Sequence, residues 1–361
     1  MSSRKEKKMQ DEVADEKMLE PGKIDINFSP GLAGFLATNN ISLGFTSYQT
    51  GRLYLVGSGA DGKLALHEAQ YPQAMGVQGD SERIYLGTLT QVVRLENVLT
   101  AGQLANQVHD KVYVPRNFQT TGNIDIHELG IRNSGKLIFI NTRYSCLCEL
   151  DIKNSFKPVW KPSFISKLAP EDRCHLNGLA MVAGEPKYVS AVCRSDVISG
   201  WRDHRDDGGV IIDIDTDEIM AEGLTMPHSP RWFGGKLWVL NSGSGELGWI
   251  NPQDKSFNAT AFFPGFLRGL AFHDSYAVTT LSKPRHKRFE GLALDHKMQE
   301  KDVEPWCGIQ IINLSSGNIA QWLRFDGAIS ELFDVCVLPS VKNPLTLGPN
   351  SAEIADFVTF E

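Results

Sequence analysis

From about Ile41 onward the chain is built of short apolar or alternating runs, cut by Gly, Asn, Asp and Ser turns, with almost no helical period. That pattern predicts an all-β body. The clearest window is Ser229 to Gly234, Leu237 to Ser242, Glu246 to Asn251 and Ser256 to Pro264, four strands with tight turns in the order a-b-c-d of one propeller blade. Related sets recur at Met75 to Asp80 with Ile84 to Gly87; at Leu129 to Arg132, Leu137 to Asn141 and Leu147 to Ile152; at Gly178 to Val182, Tyr188 to Val192 and Gly209 to Ile214; and at Gly269 to His273, Tyr276 to Leu281 and Gly308 to Leu314.

Both ends of the pattern supply one more blade. Leu43 to Gln49, Arg52 to Gly57 and Lys63 to Tyr71 match strands b, c and d with no strand a before them, and Leu332 to Leu338 is an unpaired strand a after the last repeat. The prediction is a six-bladed β-propeller closed by a C-terminal strand joining the N-terminal blade, which removes the open sheet edge and makes residues 24–361 one domain. Residues 1–23 mix Arg4, Lys5, Lys7 and Lys8 with Asp11, Glu12, Asp15, Glu16 and Glu20, and hold too little apolar surface to offset ordering; they are expected to be a mobile tail.

Composition narrows the partners. The 36 Lys and Arg against 43 Asp and Glu give a net charge of -7 with no sustained basic stripe, which argues against nucleic acid as a ligand. No apolar run approaches the ~18 residues of a membrane span, and the first 23 residues have no apolar signal core, so no membrane partner and a cytoplasmic location are expected. The six cysteines have no C-x-x-C spacing and read as small buried residues. Cys174, beside His175, is the one to consider as a thiolate.

In a propeller blade the d-to-a and b-to-c loops share one rim, so chemistry is expected just before each strand a. Successive blades carry Gln73, His127, His175, His228, Arg268 and Glu331 there. The three histidines are separated by 48 and 53 residues, one blade each. Three imidazoles at one channel mouth suit a divalent transition metal, Zn or Fe/Mn rather than Ca, with open positions for water or substrate. His127 and His175 stand three residues before Gly130 and Gly178, whereas His228 has Arg231 at that place, so its register is looser. Asp125 and Glu128 flank His127 as possible orienting groups, or as ordinary turn carboxylates.

Two b-to-c connections are long, Arg194 to Gly208 and Ser282 to Trp306, and both should overhang the histidine rim as lids or binding loops. Their Arg194, Trp201, Arg202, His204, Lys283, Arg285 and Arg288, with Arg143, Arg231 and Arg268, suggest a small ligand carrying carboxylate, phosphate or sulfate. No G-x-S-x-G, Walker, dinucleotide or H-E-x-x-H motif is present.

The stretches at 226–251, 263–272 (FPGFLRGLAF), 281–285 (LSKPR) and 329–339 (ISELFDVCVLP) resemble an uncharacterised bacterial family of six-bladed propellers, a domain of unknown function. That resemblance brings no activity. More distantly, HLNGLAMV around Asn177 is similar to the N-G-L-A strand of gluconolactonase and strictosidine-synthase-like propellers, where that Asn ligates a divalent cation; the likeness implies a hydrolase in which Glu331 and Asp334 stand near a calcium held by Asn177. A histidine-ligated propeller metal is similar to that of peptidyl-hydroxyglycine amidating lyase, in constellation only.

The reading from the residues is a metal-dependent hydrolase or lyase acting on a small anionic substrate. His127, His175 and His228 hold the metal, Glu331 is the acid or base, and Arg268, Arg231, Arg194, Trp201 and Asn177 bind substrate. The alternative is a non-catalytic propeller that binds a small anion or a protein on the same face.

Overall fold

A computed structural model describes residues 24–59, 61–285 and 290–360. The charged stretch 1–23 and Arg288 lie outside the described residues. Among those described, six sheets are arranged as a six-bladed propeller.

The windows expected from the sequence recur to within a few residues. Blade 5 is Pro227–Phe233, Lys236–Asn241, Glu246–Ile250 and Phe257–Phe262, strands a to d in that order. Blade 3 runs over Ile126–Ile131, Leu137–Asn141, Cys146–Glu149 and Lys157–Trp160. Blade 4 is Leu176–Val182, Glu185–Ala191, Gly209–Asp213 and Ile219–Leu224. Blade 2 begins at Val77–Gly79, and blade 6 holds Phe266–His273, Tyr276–Ser282, Cys307–Asn313 and Ile319–Gly327. The ring closes in blade 1, where Val335–Pro339 pairs antiparallel with Ile41–Ser47 from Ile41 opposite Pro339 to Phe45 opposite Val335.

Three additions were not legible in the pattern. Ile24–Phe28 lies antiparallel on Ile319–Gly327 as a fifth strand of blade 6. Pro344–Thr346 lies parallel to Lys111–Thr120, the outer strand of blade 2. Both cover sheet edges that would otherwise be open to another chain. Helix α1 (Leu32–Thr38) buries Leu32, Ala33 and Leu36 against the core between blades 6 and 1, with Phe45, Tyr54 and Phe325. No helix among the described residues is long and apolar enough to cross a membrane.

The innermost strands approach closely enough that some positions exclude a side chain. A Cβ at Gly178 would fall 2.4 Å from Pro230 Cδ of the next blade, and one at Gly269 would fall 2.7 Å from Asp334 Cα. This accounts for the glycine recurring three residues after His175.

Polar groups join the blades around the axis. Thr46 of blade 1 donates to the Met75 carbonyl of blade 2 (2.5 Å), and Gly76 N donates to the Ile126 carbonyl of blade 3 (3.3 Å). Glu128 of blade 3 accepts from Leu179 N of blade 4 (2.6 Å). Arg231 of blade 5 donates to the carbonyls of Leu179 (3.1 Å) and of Leu270 in blade 6 (2.9 Å). Thr280 of blade 6 donates to the Phe333 carbonyl leading into blade 1 (2.6 Å).

At the centre Arg231 pairs with Glu128 and lies 3.9 Å from Asp334, whose two oxygens accept from Val77 N (2.9 Å) and Val335 N (2.8 Å). Two buried carboxylates thus share one guanidinium. Burial, then repulsion from Glu128, push the Asp334 carboxyl up to about 7 against the pull of Arg231.

Two outcomes follow from this axial cluster. Arg231→Met should cost about 3–5 kcal/mol in urea unfolding, because it leaves Glu128 buried without its counter-charge. Asp334 binds its proton more tightly folded than unfolded, so its contribution to stability is present at acid pH and is lost as pH rises through the folded value near 7. The unfolding free energy of the wild type relative to Asp334→Asn should therefore fall from about pH 4 to about pH 7 and level off above that; an unchanged difference would refute the shared-charge arrangement.

Candidate metal centre

His127 is the second residue of strand a in blade 3, His228 the second of strand a in blade 5, and His175 directly precedes strand a of blade 4. Their ligand-capable ring nitrogens lie within 4.8 Å of one another, and no other such group of His, Cys, Asp or Glu is present among the described residues. Three nitrogens about 2.0–2.1 Å from one tetrahedral ion would stand ~3.3 Å apart. The rings must therefore draw in by up to about 1.5 Å at the widest pair to share such an ion.

Each Nδ1 is already committed. His127 Nδ1 faces the Asp125 carbonyl (3.2 Å) and the Thr142 hydroxyl oxygen (2.8 Å), and Thr142 donates its own proton to the Leu176 carbonyl (2.6 Å). His228 Nδ1 faces the Met226 carbonyl (3.0 Å) and Ser242 Oγ (3.2 Å). His175 Nδ1 faces the Asp172 carboxylate (3.0 and 3.2 Å). Carbonyls and carboxylates only accept, so each Nδ1 carries a proton, and on a neutral ring the lone pair then falls on Nε2, the tautomer that metal-binding histidines use. Burial pushes the His127 imidazole down to about 4 and, with Arg268 next in effect, holds His228 well below the usual histidine range. Both rings are neutral at neutral pH.

The cradles of His127 and His228 are the same device. In both, the residue two positions earlier has a left-handed backbone, Asp125 at φ 59° and Met226 at φ 46°, which turns its carbonyl onto the ring. In both, strand b ends in Asn followed by a hydroxyl residue, Asn141–Thr142 and Asn241–Ser242. That recurring pair was the available signal for Thr142 and Ser242. The a–b pairing shifts register between His228 and Arg231, as it does at the matching place in blades 3 and 4, so Arg231 at the glycine position does not change the histidine's place.

Asn177 stands at the cluster. Its Oδ1 accepts from Ser190 (2.6 Å), which turns its Nδ2 toward His228 Nε2 (3.4 Å). Of the residues implied by the gluconolactonase likeness, Asp334 bonds within the axial network to Val77 N and Val335 N, and Glu331 pairs with Tyr48, Arg268 and Arg285. Arg231 also departs from its expected place: its donors are spent on Glu128, Leu179, Pro230 and Leu270. Cys174 is fully buried, and burial pushes its thiol up to about 12, which leaves no thiolate at neutral pH.

Glu331 and Arg268 do meet. Arg268 Nη1 lies 3.4 Å from Glu331 Oε2, which also receives the Tyr48 hydroxyl, and Arg285 Nε donates to both Glu331 oxygens (3.1 and 3.2 Å). Burial alone would raise the Glu331 carboxyl, but Arg268 and Arg285 hold it below the ordinary glutamate range. It is an ionised carboxylate, not a stored proton. Arg268 is one aromatic ring away from the histidines: its guanidinium is 5.0 Å from the Phe266 ring centre and 5.6 Å from that of Phe333, and those rings meet His228 and His127 edge-on at 5.6 and 5.2 Å.

The two long loops are built in rather than open. In 194–208, Arg194 is exposed, while Trp201 is buried with its ring 4.3 Å from that of His175 and its Nε1 donating to Asp172 (2.7 Å). In 282–306, helix α2 (Ala293–Glu300) seats Leu294 and Met298 against Phe266 and Met226.

Among solved structures, the propeller of a nidogen/laminin complex matches at 11% identity and TM-score 0.52, covering 83% of this chain and 99% of that one, which supports the fold alone. A streptogramin B lyase matches at 12% identity and TM-score 0.38 over 79% of this chain and 76% of that one. A glucose dehydrogenase described as a putative oxidoreductase from Thermus thermophilus matches at 15% and 0.42, over 77% and 91%. No curated protein matches the sequence. The family model described as Domain of unknown function (DUF4915) spans residues 30–347, and the chain belongs to that family.

Proposed function

We propose that His127, His175 and His228 hold a divalent transition metal and that the protein is a metal-dependent hydrolase or lyase acting on a small anionic substrate. The observation that carries this reading is the commitment of all three Nδ1–H groups to acceptors, on three histidines from three blades whose ring nitrogens gather within 4.8 Å of one another. When bound, such an ion polarises a substrate oxygen or lowers the pKa of a water.

The chain's own residues supply the rest. Arg268 binds the anionic group of the substrate beside the histidines, with Arg194 on the overhanging loop as a second cation. Glu331 and Tyr48 hold the Arg268 and Arg285 guanidinium groups in place, and the ionised Glu331 can accept a proton but not supply one. Phe266 and Phe333 exclude water between the two centres and so strengthen both electrostatic contacts. Asn177 offers its amide N–H groups to a substrate oxygen once His228 Nε2 is engaged.

Metal analysis of purified and reconstituted protein tests the centre. The wild type should retain one equivalent of metal and His175→Ala and His228→Ala should lose it. A metal-free wild type after reconstitution would sink the enzyme reading and leave the propeller that binds an anion or protein without catalysis. With metal present, calorimetry against small carboxylates, phosphate and sulfate should show a ligand whose affinity falls ~10–100-fold in Arg268→Ala, the loss of about 1.5–3 kcal/mol expected of a hydrogen bond to a charged group. Equal affinity in the variant would remove Arg268 from the site.

A further inference from the structure

Loop 194–208 is joined to the histidine centre by one side chain. Trp201 is buried in a small cluster with Val192 and Cys193, against which Met226 packs. Its indole N–H is bonded to Asp172 Oδ2 (2.7 Å), the same carboxylate that accepts from His175 Nδ1, and its ring lies over the His175 ring at 4.3 Å. Met226 in turn presents the carbonyl that accepts from His228 Nδ1. Trp201 therefore holds the group that orients His175 by a hydrogen bond, and its cluster packs against Met226, whose carbonyl orients His228.

The remainder of the loop is anchored to the same segment. Ser199 N donates to the Glu171 carbonyl (3.0 Å), and Arg173 pairs with both Glu171 and Asp196. Asp172 and His175 both have left-handed backbones (φ 41° and 49°), and the Asp172 N–H is held by the Arg143 carbonyl (2.9 Å). Asp172 has two donors for its carboxylate, one from the ligand and one from the loop, so the orientation of the imidazole and the seating of the loop depend on a single group.

We infer that Asp172 and Trp201 are positioning residues for the metal, and that loop 194–208 and the metal stabilise one another through them. The inference rests on the metal-centre reading above. Coupling of this kind is reciprocal: whatever the seated loop adds to metal affinity, the metal adds to the seating of the loop. Arg194, Arg202 and Arg205 are exposed on this loop and report its seating as tryptic cleavage sites.

The test uses the full chain. Zn2+ affinity is measured by competition with a chromophoric chelator for the wild type, Asp172→Asn and Trp201→Phe, beside the thermal midpoint of each metal-free protein. Trp201→Phe keeps an aromatic ring on His175 and removes the N–H; Asp172→Asn leaves one acceptor oxygen for two donors. Each should weaken Zn2+ by ~10–100-fold, the usual effect of losing a group that orients a metal ligand. Trypsin should cut the wild-type loop more slowly with Zn2+ than without it, and that protection should shrink in both variants. Lowered thermal midpoints with affinity and protection unchanged would overturn the coupling and leave the metal centre standing. A wild type that binds no Zn2+ would overturn both.

Discussion

The guanidinium of Arg231, shared between Glu128 and Asp334 at the propeller axis, is the contact on which the rest of the structure depends. A propeller blade packs on its neighbours through apolar faces, but its innermost strand also presents backbone groups and charged side chains to a narrow axis where water cannot satisfy them. Here Arg231 donates to blades 4 and 6, Glu128 accepts from blade 4, and Asp334 accepts from blade 2, so the central charges do the hydrogen-bonding that water would do elsewhere. Removing Arg231 leaves Glu128 a buried charge without its partner.

This axial network and the histidine centre share a scaffold. His127 is followed directly by Glu128, and His228 by Ser229, whose hydroxyl lies 2.6 Å from the Arg268 carbonyl and 3.1 Å from Glu128. The same strands that set the axis therefore set the spacing of the imidazoles. The rings are aimed by carbonyls, hydroxyls and one carboxylate, all supplied by turns on the rim. Their ring nitrogens are thereby gathered within 4.8 Å of one another.

Much of this was legible in the chain. The alternation of apolar residues, the turns between them and the orphan strand at 332–338 suffice for the blades and their closure, because each strand's pattern is local and the blade repeats it. The same register brought His127, His175 and His228 to one rim. The charged residues were less legible. Arg231, Arg268 and Trp201 carry the same chemistry in the sequence whether they face substrate or the interior. Asp172 looked like any turn carboxylate, and its importance comes from Trp201, 29 residues away. The helix within 282–306 was missed because its apolar stripe is only Leu294 and Met298, too short to stand out from a loop.

The sequence by itself determined the number of blades, the strand that closes the ring and the rim that holds the histidines. Only the tertiary structure decided which arginine neutralises the axis and which lies beside the histidine cluster, and which aromatic packs on His175. The physical reason is range: blade formation follows from a periodicity read within tens of residues, whereas the fate of a charge depends on the partner it meets across the ring, as when Asp334 accepts from Val77, 257 residues earlier in the chain.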